Sequence, residues 1–494
     1  MKVAGLPRRL HGGSKHPQPL SFRRTLFINP PSWHGFDGGA GSRYQAKREV
    51  RSFWYPTWLA QPAALVPGSR LVDAPADDLS VDDVLRIARD YETAVIHTSA
   101  PTLRGDAALA EALKNQQPGM QVGLVGAHAA VLPAETLAAS EAIDWAGRRE
   151  FDFTCRDVAA GLPLREIAGL SWRDEGRVVH NPERPLIADF DALPSVMDVY
   201  KRDLTPENYA IGYLRHPYVS HYTGRGCPAQ CTFCLWPQTV GGHQYRARSP
   251  GGVAREMAHA KELFPQAKEF FFDDDTFTAY QPRAREIAKL IGPLGITWSC
   301  NARANVSFET LKTMRANGLR LLLVGYESGH QGILDNIKKG IRLEQAREFT
   351  RNCHQLGITI HGTFILGLPG ETRETIRQTI EFAKQLDLFS IQVSLAAPYP
   401  GTALYRQAME QGWLHEQGSL VDMHGQQLPA LEYPDLSREE IFAALEVFYK
   451  EYYLRPRPIL RMVGEMVRDW DVCKRRLREG AEFFRFLRLR SAGA

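Results

Sequence analysis

From Thr25 onward the chain alternates short apolar runs with stretches whose apolar residues recur every three or four positions. The runs Thr25–Asn29, Arg70–Asp73, Ala94–Thr98 and Gln121–Val125 predict strands. The stretches Val81–Arg89, Ala107–Asn115 and Ala134–Ile143 predict helices between them. Strands alternating with helices build βαβ units on a parallel sheet. Residues 25–150 are therefore expected to form a doubly wound α/β domain. A connector rich in Pro and charge follows over 151–212, the composition of a linker. A second alternating series begins at Tyr218–Thr223 and continues through Glu269–Phe272, Ile296–Cys300, Leu321–Tyr326, Thr359–Leu366 and Ser390–Leu395. The helices between these runs stop at glycines such as Gly318 and Gly357, a common end signal. Six such units are too few for a closed eightfold barrel. They predict an open, partial (β/α)6 barrel over 213–436, with its chemistry at the C-terminal strand ends. Residues 437–494 read as a helical, basic and aromatic tail.

Composition narrows the picture. The chain has 494 residues, 44% hydrophobic and 23% charged, ordinary for a globular protein with room for two or three domains. A net charge of +4 gives no argument for nucleic acid. There is no apolar leader and no apolar run of bilayer length, which predicts a cytosolic protein. In that reducing setting, clustered cysteines hold metal or do chemistry more often than they pair. Residues 1–24 carry Lys2, Arg8, Arg9, Lys15, Arg23 and Arg24 with no acid and are expected to be a disordered basic arm.

Three of the seven cysteines cluster in Gly224-Arg225-Gly226-Cys227-Pro228-Ala229-Gln230-Cys231-Thr232-Phe233-Cys234, just after a predicted strand. Three thiolates at this spacing can ligate three irons of a 4Fe-4S cubane and leave the fourth iron open to a small molecule. The competing reading is zinc, with His243 as fourth ligand, although a paired second C-x2-C knuckle is missing. Cys155, Cys300, Cys353 and Cys473 are scattered and read as free thiols.

The C-x3-C-x2-C loop, with the aromatic Phe233 before its third cysteine, resembles that of the radical S-adenosylmethionine (SAM) superfamily. The resemblance implies one 4Fe-4S cluster on Cys227, Cys231 and Cys234. It implies SAM on the open iron, a 5′-deoxyadenosyl radical, and an electron donor such as flavodoxin or ferredoxin. Further segments fit it in order. Phe270–Phe277 is similar to a D-D-x-F motif and offers Asp274 and Asp275 to the SAM ammonium; the alternative is an acidic helix start. Arg303, in Trp298–Arg303, is either a contact to the SAM carboxylate or a structural ion pair. Glu327, in Gly325-Tyr326-Glu327-Ser328-Gly329, would accept from the SAM amino group or ribose. Gly367, in Gly362–Glu371, would offer backbone edges to adenine.

The doubly wound domain before the barrel resembles the cobalamin-binding branch of the superfamily, but the D-x-H-x-x-G motif of that branch is absent. Bound cobalamin and a vestigial domain both stay open. Asn29–Tyr44, Arg51–Pro67 and Cys227–Tyr245 resemble the HpnJ-type radical SAM proteins of hopanoid biosynthesis. That resemblance implies a hopanoid lipid substrate, bacteriohopanetetrol glucosamine, converted to its cyclitol ether. The rival reading is a cobalamin-dependent radical SAM methyltransferase. The aromatic cluster Phe53, Trp54, Tyr55 and Trp58 suits either a ring-shaped substrate or a domain interface. In the tail, Ile459, Val463, Met466, Trp470, Cys473 and Leu477 form one apolar stripe among Arg and Lys. This predicts either peripheral contact with the inner face of the cytoplasmic membrane or packing on the barrel.

Overall fold

Two largely parallel sheets form the framework of the chain. The computed structural model describes residues 21–31, 52–414, 420–422, 425–468, 470, 473–474, 476–478 and 480–482. The first sheet has seven strands: β1 (Thr25–Asn29), β2 (Arg70–Asp73), β3 (Thr93–His97), β4 (Gln121–Val125), β5 (Trp145–Gly147), β6 (Leu170–Asp174) and β7 (Arg177–His180). Their spatial order is β2-β1-β3-β4-β5-β6-β7. The first five run parallel and the last two antiparallel. Strands buried on both faces need apolar side chains on both, which is why β1, β3 and β4 read as apolar runs. Leu26, Ile28, Ala94, Ile96, Val122 and Leu124 fill one core, whereas Phe27, Leu71, Val95 and Val125 belong to a core shared with the barrel.

The expected boundary near residue 150 falls inside this first sheet. β6 and β7 lie in the stretch read as linker and join through Glu175 and Gly176, both with positive φ (45° and 80°). A two-residue turn with both φ positive suits a hairpin. The hairpin was hidden because its strands are short and polar and alternate only weakly.

The second sheet holds β8 (Tyr218–His221), β11 (Glu269–Phe272), β12 (Trp298–Ala302), β13 (Leu319–Glu327), β14 (Thr359–Leu366) and β15 (Ser390–Leu395). All six are parallel, in the order β15-β14-β13-β12-β11-β8, a half-barrel open between β15 and β8. A separate antiparallel pair, β9 (Gly224–Arg225) and β10 (Arg246–Ala247), brackets the cysteine loop.

An open barrel exposes an edge strand, and unpaired backbone groups there invite aggregation. Side chains complete the ladder of β15. The Tyr453 hydroxyl accepts from Ile391 N–H (2.9 Å) and donates to Ile391 C=O (3.0 Å). Tyr449 does the same for Val393 (3.0 and 3.3 Å). The Gln427 amide serves Leu395 (3.0 and 2.7 Å). Both tyrosines lie on the helix Arg438–Tyr453, which starts at a Ser437–Glu440 capping box and runs along the edge. Tyr449→Phe should leave one buried donor and one acceptor of Val393 unpaired, at about 1–3 kcal/mol each. Denaturant titration of that variant measures the loss.

At the opposite edge, Phe53, Trp54, Tyr55 and Trp58 are all buried. Tyr55 donates to Tyr218 C=O (2.8 Å) and Tyr218 donates to Phe53 C=O (3.0 Å). Trp54 packs on Phe271, and Trp58 stacks on Trp236 at 5.0 Å. This cluster is the joint between sheet domain and barrel. Of the two N-terminal stretches that carried the hopanoid resemblance, residues 32–44 and 51 lie outside the described residues.

Candidate functional site

The cysteine loop leaves the C-terminal end of β8 through β9, at the rim where parallel barrels collect chemistry. Its path is set by groups around it. Gly226 has φ +87°, and a Cβ there would lie 2.2 Å from Gln244 C=O, so only glycine fits. Gln238 Nε2 donates to the carbonyls of Cys231, Thr232 and Cys234 (3.2, 3.1 and 2.8 Å), while its Oε1 accepts from Ala403 N–H (2.8 Å). One amide thus gathers the loop and ties it to the segment after β15. Cys227 and Cys231 are buried and Cys234 is half-buried. Cys227 Sγ lies 3.5 Å from Thr276 Oγ1.

These residues suit a cluster better than a single ion. His243, the candidate fourth zinc ligand, points Nδ1 at the carbonyls of Cys227 and Ala229 (3.1 and 3.0 Å) and so braces the loop. Among the described residues, no three His, Cys, Asp or Glu side chains converge as ligands of one ion would. Thiolates on three different irons of a cubane sit farther apart than ligands of one ion.

The two aspartates after β11 also brace the loop. Asp274 is fully buried; it accepts from Thr223 N–H and Thr223 Oγ1 (both 2.6 Å) and from Tyr245 OH (2.8 Å). Asp275, half-buried, accepts from Gly226 N–H at 3.0 Å. The expectation that Asp274 meets SAM conflicts with this placement, because both of its oxygens are committed to β8 and the loop.

Arg303 and Glu327 come together on the other side of the cysteines. Arg303 follows β12, with Nη1 3.8 Å from Cys231 Sγ and Nη2 donating to Lys339 C=O. The Lys339 ammonium in turn donates to Glu327 at 2.6 Å, and both are buried. Glu327 ends β13 at a bulge, with the unusual φ of +65°. A non-glycine residue in that region is held there by its surroundings, and such residues are enriched at functional sites. Lys339 escaped the sequence reading because nothing in its spacing ties it to the loop.

Phe233 is half-buried against the core. Gly367 has both backbone groups engaged: its N–H donates to Glu371 (2.6 Å) and its C=O accepts from Tyr433 OH (2.8 Å). The expected free edge for adenine is therefore taken up by the protein. Glu371 was also missed. Burial pushes its carboxyl up to about 8, against hydrogen bonds from Gly367 and Leu368 N–H that pull it down. Folding thus strengthens proton binding at Glu371, so its contribution to stability is full below its ordinary 4.5 and is lost as pH rises towards 8. Glu371→Gln should flatten that decline and raise the melting temperature at pH 8 relative to wild type, by a gain on the order of a few kcal/mol.

A third set of groups lies at the C-terminal edge of the first sheet, beside the point where strand order reverses between β1 and β3. Ligands of such sheets bind there. His97, the last residue of β3, is fully buried, and neither ring nitrogen has a hydrogen-bond partner. Burial pulls its pKa down to about 3, so it is a neutral imidazole offering one donor and one acceptor. His128, after β4, is likewise buried without a hydrogen-bond partner, and its Nε2 lies 3.7 Å from the Glu135 carboxylate. Gly126 between them has φ +122°, and a Cβ there would lie 2.3 Å from Thr98 C=O. Buried polar groups without hydrogen-bond partners at this edge are groups that a bound water or ligand would satisfy.

A cysteine loop at the mouth of a parallel half-barrel, preceded by a doubly wound domain, defines an iron–sulfur enzyme class. The radical SAM superfamily model matches residues 222–383. An uncharacterized methyltransferase of Pyrococcus horikoshii is 30% identical over 85% of this chain and 92% of its own. The chain belongs to the radical SAM superfamily. The cytidylyl-2-hydroxyethylphosphonate methyltransferase of Streptomyces wedmorensis is 26% identical, over 70% of this chain and 72% of its own. Two solved structures share the fold. One is the radical SAM methyltransferase TsrM of Kitasatospora setae with cobalamin and a [4Fe-4S] cluster bound (TM-score 0.66, 17% identity, 87% of this chain and 91% of that one). The other is the cobalamin-dependent radical enzyme OxsB with aqua-cobalamin and SAM bound (TM-score 0.68, 15% identity, 94% and 72%). A radical SAM enzyme uses a 4Fe-4S cluster and SAM, and needs a one-electron donor.

Proposed function

We propose that this chain is a cobalamin-dependent radical SAM methyltransferase. The observation that carries the reading is the doubly wound sheet placed ahead of the cysteine-bearing half-barrel, with His97 and His128 buried at its C-terminal edge without hydrogen-bond partners. The 30% identity to a methyltransferase along nearly its whole length supports it. Methyl transfer thereby displaces ring contraction of a hopanoid amino sugar as the main reading.

The roles divide among the chain's own residues. Cys227, Cys231 and Cys234 hold the cluster, which when bound supplies the electron that cleaves SAM. Arg303 and Glu327, chained through Lys339 beside Cys231, orient the carboxylate and amino group of SAM by charge-assisted hydrogen bonds. Asp274, Asp275, Gln238 and His243 hold the loop. The C-terminal edge of the first sheet, where Gly126 and His128 lie, would hold the corrinoid, which would supply a carrier for the methyl group. The buried aromatic joint at Phe53–Trp58 keeps bulk water from the region between the domains. The methyl acceptor would enter between sheet edge and barrel mouth.

The test is anaerobic. Protein loaded with iron, sulfide and hydroxocobalamin is given SAM and dithionite, and the SAM products are counted. Methyl transfer predicts one corrinoid per chain and both S-adenosylhomocysteine and 5′-deoxyadenosine. 5′-Deoxyadenosine alone, from protein that retains no corrinoid, would return the reading to a radical rearrangement.

A further inference from the structure

We propose that the helix Pro456–Arg468 and the residues after it dock this enzyme on an anionic lipid surface. Charge along the chain is divided unevenly. The whole chain has 60 Lys and Arg against 56 Asp and Glu, but residues 455–494 hold eleven against five and residues 1–24 six against none. The body between them therefore carries a net charge of −8. An anionic surface repels that body and attracts its ends.

The exposed side chains of the tail point the same way. Leu460, Val463, Val467, Trp470 and Leu477 are 70, 49, 82, 69 and 60% exposed. Leu460, Val463 and Val467 share one face of the helix Pro456–Arg468, and Trp470 and Leu477 continue the same spacing in the sequence. Lys474 lies 5.6 Å from the Trp470 ring, and Arg457 and Arg478 are exposed near the same stripe. An apolar stripe with Trp and flanking cations suits the headgroup boundary of a bilayer. No helix among the described residues is long and apolar enough to cross one. A second copy of the chain is the poorer occupant, because pairing two such tails brings two sets of excess positive charge together.

The root of the tail fixes how the body would sit. Arg461 donates to Leu388 C=O (2.7 Å) and to Asp387 (3.1 Å), just before β15 begins. That is the N-terminal rim of the barrel, whereas the cysteine loop lies at the C-terminal rim, about 20 Å away for strands of this length. Docking therefore holds the body at the surface and leaves the mouth facing away from it.

Flotation of the full-length, cluster-loaded enzyme decides the matter. Vesicles of phosphatidylglycerol should carry it upward, vesicles of phosphatidylcholine should not, and about 0.5 M salt should release most of it, since screening then acts within a few ångströms. Leu460→Ser/Val467→Ser/Trp470→Ser and, separately, Lys474→Glu/Arg478→Glu should each lose most of the floated protein while keeping the brown cluster absorbance. Failure of the wild type to float at low salt overturns the proposal. So does flotation unchanged in both variants. A dimer by light scattering that the apolar variant dissociates, without flotation of the wild type, also overturns it and assigns the stripe to a second copy.

Discussion

Replacing Cys231 by alanine is expected to abolish most of the iron and sulfide content of the anaerobically loaded protein, together with its absorbance near roughly 400 nm. Cys227→Ala and Cys234→Ala should behave alike. Two thiolates cannot hold a cubane whose fourth iron already lacks a protein ligand. Cys155→Ala is the matched control. That thiol is buried on the helix Asp152–Ala159, and burial raises its pKa well above the ordinary value, so it is no thiolate donor. Burial raises Cys300 and Cys353 in the same way. The triad variants should lose cluster and SAM cleavage together, with thermal stability of the metal-free protein little changed. Full iron retention in Cys231→Ala would remove the basis of the site.

The second large effect is structural. Arg225, two residues before Cys227, is buried and paired bidentately with Asp152 (2.7 and 2.9 Å). Arg246 on the partner strand β10 is paired bidentately with Glu150 (2.7 and 2.9 Å). Glu150 also accepts from Ile187 N–H (2.7 Å), and the Arg225 guanidinium lies 4.4 Å from the Trp58 ring centroid. Burial works against the Arg225 charge, but the Asp152 carboxylate outweighs it and holds the pKa above its usual value. This four-charge cluster fastens the sheet domain to the two-stranded ribbon that carries the loop. Removing one member strands an uncompensated charge, at about 3–5 kcal/mol. Asp152→Ala should therefore lower stability by that amount and shorten the lifetime of the cluster. Asp152→Leu combined with Arg225→Met should recover much of the stability, since a fully apolar replacement leaves no orphan charge. A single variant as stable as wild type would show that the cluster carries little of the domain joint.

Apolar runs located β1 to β4 and the six barrel strands to within about two residues, because parallel strands buried on both faces need apolar side chains throughout, whereas β5, β6 and β7 went unread. It also placed the cysteine loop after β8, where local spacing is itself the signal. Features made by distant residues were not legible. Asp152 and Arg225 are 73 positions apart, and Arg303 and Lys339 are joined only by the fold. Asp274 carried a motif that suggested ligand contact, yet burial commits it to Thr223 and Tyr245. The aromatic segment Phe53–Trp58 read equally as substrate surface and as interface; full burial against β8 decides for interface. Composition alone could not weigh these cases, since it does not say which side chain finds a partner.

On the proposed function, SAM would meet the open iron of a cluster held by the three cysteines, with Arg303 and Glu327 near Cys231 orienting it. Electron paramagnetic resonance of the dithionite-reduced cluster, recorded before and after SAM is added, tests it most directly. The spectrum should shift with SAM in the wild type, and should no longer shift with SAM in Glu327→Ala carrying the same amount of iron. A wild-type spectrum indifferent to saturating SAM would contradict it.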